Sequence, residues 1–325
     1  MIFIQILVLV AGFVALVKGA DFFVDGSSAL ARRFHVPGLI IGLTVVALGT
    51  SLPELAVSTS AAMAGSNEIA ISNVVGSNLF NILVVLGSCA VVCTVPVDRK
   101  VVRRDMPMVF LSTIIVLAAV GAGVIAHGLR PLQMDRIVGT VFRFVGIALL
   151  VIFAAYMIFL VRDAKKNPLP EEPGETMWPG WKCVLFIVIG AVMIILGGKA
   201  VVWAAQGIAQ AAGMSETLIG LTVVAFGTSL PELVTSIVAA RKGEVGLAAG
   251  NVIGSNILNM MLILGVSSSI HPVAVNLASF FDLLILLGVI VMTTIIMKVS
   301  GNVRRRAGAL MLAIYAAVVV FAIVR

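Results

Sequence analysis

The stretch GLTVVALGTSLPEL at residues 42–55 returns, with one substitution, as GLTVVAFGTSLPEL at residues 220–233. The same offset of 178 residues aligns NVVGSNLFN at 73–81 with NVIGSNILN at 251–259. Over residues 41–87, 27 of 47 ungapped positions are identical to the second copy. Self-similarity of this extent at a fixed offset indicates an internal duplication.

The composition restricts the class of protein in which this duplication lies. Of the 325 residues, 61% are hydrophobic and 11% are charged, and the mean hydropathy is +1.17. A soluble domain carries about 25% charged residues, so a soluble enzyme, a disordered chain and a disulfide scaffold are excluded. A spanning helix needs roughly 20 apolar residues, so the length accommodates about ten spans and short loops. We therefore predict an all-α polytopic membrane protein with ten transmembrane helices.

Ten long apolar runs mark the predicted spans. The longest polar stretch, 162–180, contains four prolines, and we interpret it as a cytoplasmic linker between two halves, 1–161 and 181–325. The first run has neither a basic start nor a cleavage site, so it reads as a span and not as a signal peptide. The spans cover approximately 2–24, 37–62, 69–95, 106–127, 137–161, 181–209, 216–240, 246–269, 276–298 and 307–324.

The distribution of Lys and Arg predicts the orientation. With the N-terminus outside, the cytoplasmic loops hold 16 of these residues and the outer loops hold three. This asymmetry follows the positive-inside rule, so we expect both termini outside, and the pI of about 9.7 needs no nucleic-acid partner. Because each half has five spans, the second copy enters the membrane from the opposite side. Inverted repeats of this kind are typical of transporters, with the substrate site near the midplane.

The repeated GTSLPE motif places a carboxylate in the middle of spans two and seven. An intramembrane carboxylate costs at least ~2.5 kcal/mol, so Glu54 and Glu232 are expected to face a cavity or a partner. Pro53 and Pro231 cannot donate to the carbonyls four residues earlier, which predicts broken helices with available backbone oxygens. Such breaks coordinate cations in transporters.

A polar stripe on spans three and eight supplies further oxygens. Residues spaced i, i+4 and i+8 share one face of a helix. Together with the carboxylates and hydroxyls, they form an oxygen-only set of ligands, which favours Ca²⁺ or Na⁺ over zinc or copper. Two ionised glutamates are neutralised by one Ca²⁺, two Na⁺ or two protons, which is the condition for exchange. The stripe comprises Asn73, Ser77 and Asn81 in the first copy and Asn251, Ser255 and Asn259 in the second.

These paired motifs resemble the α-repeats of the cation/Ca²⁺ exchanger superfamily, in its sodium/calcium exchanger branch. The resemblance extends over nearly the whole chain. It implies a prokaryotic inner-membrane antiporter, not an enzyme, that exchanges Ca²⁺ for Na⁺ without a cofactor. It also implies that Glu54, Glu232, Thr50 and Thr228 ligate Ca²⁺, and that the Na⁺ sites involve Ala47, Ser51, Ser77, Asn81, Ala225, Ser229, Ser255 and Asn259.

One position departs from the pattern of the family. Many relatives have Asp where this chain has Asn259, which counts against K⁺ co-transport. The proton-coupled branch usually carries GNA-type residues in place of GTS, so Na⁺ is favoured, with an H⁺-coupled divalent-cation exchanger as the alternative. The oligomeric state is left open.

Other interpretations of the same residues stay in view. An intramembrane hydrolase with paired acids and a cation channel are the competing classes. A proteoliposome transport assay separates the hydrolase from an exchanger, and a counterflow measurement separates the channel. Asn73 and Asn251 are alternatively residues that orient the glutamates or join helices. Arg143 and Asp282 are predicted to snorkel or to form structural pairs, and Lys199 has no assigned role.

Overall fold

The computed structural model describes residues 2–65, 67–127, 134–168, 177–212 and 225–324, without the side chains of 67, 68, 122–127 and 225. Within these ranges the protein is helical, with four short strands. Four π-helical segments interrupt the α-helices, at Gly42–Val46, Asn81–Val85, Val101–Asp105 and Leu258–Ile263. The α-helices are α1 Ile2–Arg33, α2 Gly38–Ile41, α3 Ala47–Thr50, α4 Leu52–Met63, α5 Asn67–Phe80, α6 Leu86–Val92, α7 Met106–His127, α8 Arg143–Lys166, α9 Gly180–Ala211, α10 Ala225–Thr228, α11 Leu230–Arg241, α12 Val245–Ile257, α13 Leu264–Ile270, α14 Leu277–Ser300 and α15 Arg305–Val324.

The helices account for nine of the ten predicted spans. Among the described residues, eight helices are long and apolar enough to cross a membrane, and the bent pair Gly38–Thr50 and Leu52–Met63 forms a ninth. The predicted seventh span, 216–240, falls partly outside the described ranges. Large apolar side chains such as Phe3, Phe144 and Leu196 lie on the outside, as expected for surfaces that face lipid.

The strands form two antiparallel pairs. β1 (Val95–Pro96) pairs with β4 (Asn302–Val303), and β2 (Ile137–Val141) pairs with β3 (Val273–Asn276). The prediction that span five begins at residue 137 is therefore wrong, because α8 begins only at Arg143. The run before it is rich in β-branched residues, and an apolar run alone does not distinguish a strand from a helix.

Contacts group the chain into two compact units. The first unit comprises Met1–Pro53 and Val161–Val252, and the second comprises Glu54–Leu160 and Ile253–Arg325. Each unit therefore contains residues from both sequence repeats. The division into halves at the linker 162–180 stays a prediction, and residues 169–176 of that linker lie outside the described ranges.

In the first unit, α1 and α9 pack closely through glycines. Gly12, Gly19 and Gly26 of α1 are spaced by seven residues and face the backbone of α9. A Cβ atom added at Gly190 of α9 would lie 2.5 Å from the Phe23 backbone nitrogen, and one added at Gly197 would lie 2.8 Å from the Gly12 carbonyl oxygen. Small residues at such an interface allow two helix backbones to approach each other.

Ion pairs join α1 to the end of α11 within the same unit. The Lys242 Nζ lies 2.8 Å from an Asp25 carboxylate oxygen and 3.3 Å from an Asp21 carboxylate oxygen, while Arg32 pairs with Glu244 at 3.3 Å. The helix continues through these charges to Arg33 and does not end near residue 24, because its polar side chains have partners.

In the second unit, a buried polar cluster joins the π-helical segment before α7 to α8. Asp105 is fully buried, accepts a hydrogen bond of 2.7 Å from the Tyr156 hydroxyl, and pairs with Arg104. Arg143, at the first residue of α8, donates to the Ile270 carbonyl oxygen at 3.2 Å. Arg143 therefore lies at a helix end with a backbone partner and not in the middle of a span.

Candidate cation-binding site

The GTSLPE motifs coincide with interruptions of the helices. Ser51 separates α3 from α4 with φ −86° and ψ 8°, and Ser229 separates α10 from α11 with φ −95° and ψ 5°. Both conformations lie in the sparsely populated region between the α and β basins. The helices on the two sides of Ser51 are bent by 52°. Pro53 and Pro231 follow in the first turn of the next helix, where a missing N–H is tolerated.

Both glutamates are buried in the first turn of the helix that follows the break. Glu54 belongs to α4 and Glu232 to α11, and each has a relative exposure of 0%. The N-terminal end of a helix carries a partial positive charge, which favours a carboxylate there. The helix end thus offsets part of the cost of burying each negative charge.

In the first unit, hydroxyls of the first repeat bind polar groups of the second. The Ser51 hydroxyl donates to Glu232 Oε1 at 2.8 Å, and the Thr50 hydroxyl donates to Asn251 Oδ1 at 3.0 Å. A hydroxyl oxygen that donates its hydrogen keeps lone pairs for a cation. Thr50 and Ser51 are therefore able to hydrogen-bond Asn251 and Glu232 of the second repeat and to ligate an ion at the same time.

Asn73 and Asn251 make equivalent contacts in their respective units. Asn251 Nδ2 donates to Ser236 Oγ at 2.9 Å and lies 3.5 Å from the Glu232 carbonyl oxygen. Asn73 Nδ2 donates to Ser58 Oγ at 2.8 Å and to the Glu54 carbonyl oxygen at 3.3 Å. These contacts fix the first turn of each glutamate helix. They support the alternative that the two asparagines orient the glutamates.

A second group of asparagines lies in the second unit. Asn259 Nδ2 donates to Asn78 Oδ1 at 3.0 Å, and Asn78 Nδ2 donates to the Asn256 carbonyl oxygen at 3.3 Å. Among the described residues, Asn81 has no hydrogen-bond partner for either amide atom, although it is fully buried. The repeated sequences thus make different contacts in the two copies. Asn81 Oδ1 and Asn259 Oδ1 are buried amide oxygens suited to a hard cation.

The helices change from α to π geometry at Asn81 and around Asn259. One π-helical segment begins at Asn81, and another, Leu258–Ile263, contains Asn259. Single π turns inside α-helices occur frequently at functional sites, because the wider turn changes the direction of side chains and carbonyls. Hydropathy and motif spacing contain no signal for these segments.

The structure places the predicted residues in two groups, one in each unit. Thr228 is half-buried, whereas the other described members of the set are buried, and the side chain of Ala225 lies outside the described residues. The predicted set does not include Asn78, Asn256, Ser58 and Ser236, although the Asn of GSN is repeated in both copies. The first unit holds Ala47, Thr50, Ser51, Ala225, Thr228, Ser229 and Glu232, and the second holds Glu54, Ser77, Asn81, Ser255 and Asn259.

Repeated broken helices with buried carboxylates, hydroxyls and amides define a membrane transporter for hard cations. The family model for the sodium/calcium exchanger protein matches residues 4–162 and 182–324. The chain belongs to the sodium/calcium exchanger family, a family of cation antiporters.

Individual relatives agree with this assignment. The chain is 31% identical over 345 residues to the sodium/calcium exchanger MaX1 of Methanosarcina acetivorans, covering 98% of this chain and 99% of that protein. It is 36% identical over 273 residues to the inner membrane protein YrbG of Escherichia coli, covering 81% and 79%. A solved structure of the sodium-calcium exchanger NCX_Mj, soaked with 2.5 mM Na⁺ and 10 mM Sr²⁺, aligns with a TM-score of 0.81 at 30% identity and covers 98% of this chain and 99% of that chain.

Proposed function

We propose that this protein exchanges Ca²⁺ for Na⁺ across the membrane by alternating access. The observation that carries the proposal is the pair of buried glutamates, Glu54 and Glu232, each in the first turn after a helix break. Two carboxylates balance one Ca²⁺ or two Na⁺, so either load neutralises the same pair of charges. The related MaX1 is named a sodium/calcium exchanger, and NCX_Mj is a sodium-calcium exchanger.

The proposed ligands follow from their chemistry and from the family. Ca²⁺ takes six to eight oxygen ligands, and we assign it to the two carboxylates and to oxygens of Thr50 and Thr228. Na⁺ is assigned to neutral oxygens of the remaining predicted residues. Asn259 fits this role because its Nδ2 donates to Asn78, while its Oδ1 has no hydrogen-bond partner among the described residues. The Na⁺ set is Ala47, Ser51, Ser77, Asn81, Ala225, Ser229, Ser255 and Asn259.

We also propose that the protein resides in the inner membrane with both termini outside. The support is the 16 to 3 distribution of Lys and Arg between the two sides. Labelling of single cysteines introduced near residues 3 and 322 with a membrane-impermeant maleimide tests the orientation. Labelling in intact spheroplasts is expected, and protection until the membrane is opened would contradict it.

The transport proposal is tested by ⁴⁵Ca²⁺ uptake into proteoliposomes. An outward Na⁺ gradient is expected to drive uptake, whereas equal K⁺ and H⁺ gradients are expected to drive little. Uptake driven by H⁺ alone would replace Na⁺ coupling with proton coupling. Uptake that continues without any opposing gradient and shows no counterflow would indicate a channel.

The carboxylates are tested by Glu54→Gln and Glu232→Gln. Each removes one charge from a site of low dielectric where desolvated Ca²⁺ needs compensation, so exchange is expected to be abolished in a folded protein. Asp282→Asn is the control, because it removes an acidic charge on a span outside the repeated motifs. Normal exchange by either glutamate variant would contradict the assignment.

A further inference from the structure

A cavity of about 830 Å³ lies between residues 97–103, which precede α7, and the end of α14. Its volume falls in the range of about 300–1,000 Å³ that is typical of sites for small ligands. None of the residues assigned above to cation transport lines it. Its polar lining includes Arg99, Arg103, Thr294, Lys298 and Ser300.

All the charged side chains that line this cavity are positive. Arg99, Arg103 and Lys298 contribute three positive charges, and among the described lining residues there is no Asp or Glu. Within the described part of the chain, none of the three cations forms an ion pair. The neighbouring Asp98 accepts a hydrogen bond of 2.8 Å from the Lys100 backbone N–H. The cavity is therefore suited to an anion held by side-chain cations.

An apolar groove continues from the cavity along the same helices. This groove has a volume of about 330 Å³ and shares Thr294 and Lys298 with the cavity. Its remaining lining is apolar, including Phe110, Val291 and Ile295. Phe110 belongs to one candidate membrane span, and Val291 and Ile295 belong to another. The cationic end therefore coincides with the ends of two spans, and the apolar part runs along their lengths.

We propose that the cavity binds the headgroup of an anionic phospholipid and that one acyl chain of the lipid lies in the groove. A basic pocket between transmembrane helices at the membrane surface is the expected receptor for a phosphate-bearing headgroup. The apolar groove distinguishes a lipid from a free anion, since a phosphate ion makes no favourable contact with apolar side chains. The predicted orientation places both groups of cations on the cytoplasmic side, and the proposal does not depend on the coupling ion.

The proposal is tested on the purified full-length protein with fluorescent phosphatidylglycerol in mixed micelles of neutral detergent. The lining variant combines Arg99→Gln, Arg103→Gln and Lys298→Gln. The control combines Lys165→Gln, Lys166→Gln and Arg306→Gln, which removes the same charge from the same predicted side. Each charge near a membrane surface contributes about 1 kcal/mol, so the lining variant is expected to bind about 100-fold more weakly while the control binds like the parent. An equal loss of binding in both variants would show that only net charge matters and would overturn the proposed lipid site.

A second comparison separates the lipid from a soluble anion. Val291→Trp fills the groove and keeps all three cations, so it is expected to weaken binding of phosphatidylglycerol. Inorganic phosphate in tenfold excess is expected not to displace the lipid from the parent. Displacement by phosphate, or unchanged binding by Val291→Trp, would overturn the lipid assignment. If the lining variant does not fold, as judged by thermal unfolding, the Val291→Trp result alone decides.

Discussion

The glycine contact between α1 and α9 gives a prediction whose magnitude follows from the structure. In Gly190→Ala, the new Cβ would lie 2.5 Å from the Phe23 nitrogen and 2.7 Å from the Gly19 carbonyl oxygen. The shorter distance falls 0.9 Å below 3.4 Å, where ordinary contact begins. Both neighbouring atoms belong to the backbone and cannot rotate away, so the two helices have to separate.

The matched control is Gly288→Ala in the middle of α14, where an added Cβ meets nothing within 4 Å. Both variants gain the same helix propensity, about 1 kcal/mol, so their difference isolates packing. Overpacking costs about 1–3 kcal/mol, and we expect Gly190→Ala to be less stable than Gly288→Ala by that amount. The measurement is the free energy of unfolding in mixed micelles of mild detergent and sodium dodecyl sulfate.

A double-mutant cycle makes the test stricter. A Cβ at Gly19 would lie 2.7 Å from Met193 Cβ at the same interface. Once one alanine has separated the helices, the second meets less resistance, so Gly19→Ala with Gly190→Ala is expected to cost less than the sum of the single variants. Strict additivity, or equal stability of Gly190→Ala and Gly288→Ala, would refute the close backbone contact.

Two further predictions concern buried hydrogen bonds to carboxylates. Ser51→Ala removes the 2.8 Å hydrogen bond to Glu232, worth about 1.5–3 kcal/mol, and is expected to weaken Ca²⁺-dependent thermal stabilisation and to slow exchange. The exposed Ser60→Ala is the control, and an equal effect of the two variants would count against the Ser51 contact. Tyr156→Phe removes the 2.7 Å bond to Asp105 and is expected to lower the free energy of unfolding by about 1.5–3 kcal/mol. An unchanged unfolding curve would show that this bond contributes nothing net.

Much of the architecture was predictable from the sequence because the membrane imposes it. A span requires a long apolar run, so nine predicted spans correspond to helices or to the bent pair. The break at Ser51 was foreseeable from Pro53, since proline is tolerated only near the start of a helix. The strand at Ile137–Val141 was not, because its apolar residues satisfy the hydropathy of a span equally well.

The contacts within the candidate site were less predictable. The motifs identified the oxygen-bearing residues, but the bond from Ser51 to Glu232 joins residues 181 positions apart, and motif spacing says nothing about such pairs. Equivalent contacts within each copy are easier to predict from a repeat. Asn73 and Asn251, which are equivalent in the two copies, each contact a serine hydroxyl and the carbonyl oxygen of a glutamate in their own unit.

The asparagines of the second unit show where the two copies differ. The Asn259 side chain donates to Asn78, whereas the side-chain amide of the equivalent Asn81 has no hydrogen-bond partner within the described residues. If the two repeats are inverted as predicted, alternating access is expected to exchange their environments between the two conformations. We therefore expect the bond from Asn81 to Asn256 to form in the opposite conformation and the bond from Asn259 to Asn78 to be lost there.

This exchange predicts opposite effects of two equivalent substitutions. Asn259→Ala removes the observed bond to Asn78, and Asn81→Ala removes one that we expect only in the other conformation. Each bond is worth about 1 kcal/mol, so each variant is expected to shift the ratio of the two conformations about fivefold, in opposite directions. Labelling of a single cysteine introduced into the candidate site, with a maleimide added from either side of the membrane, measures that ratio. A shift in the same direction for both variants would mean that the difference between the copies is permanent and takes no part in the transport cycle.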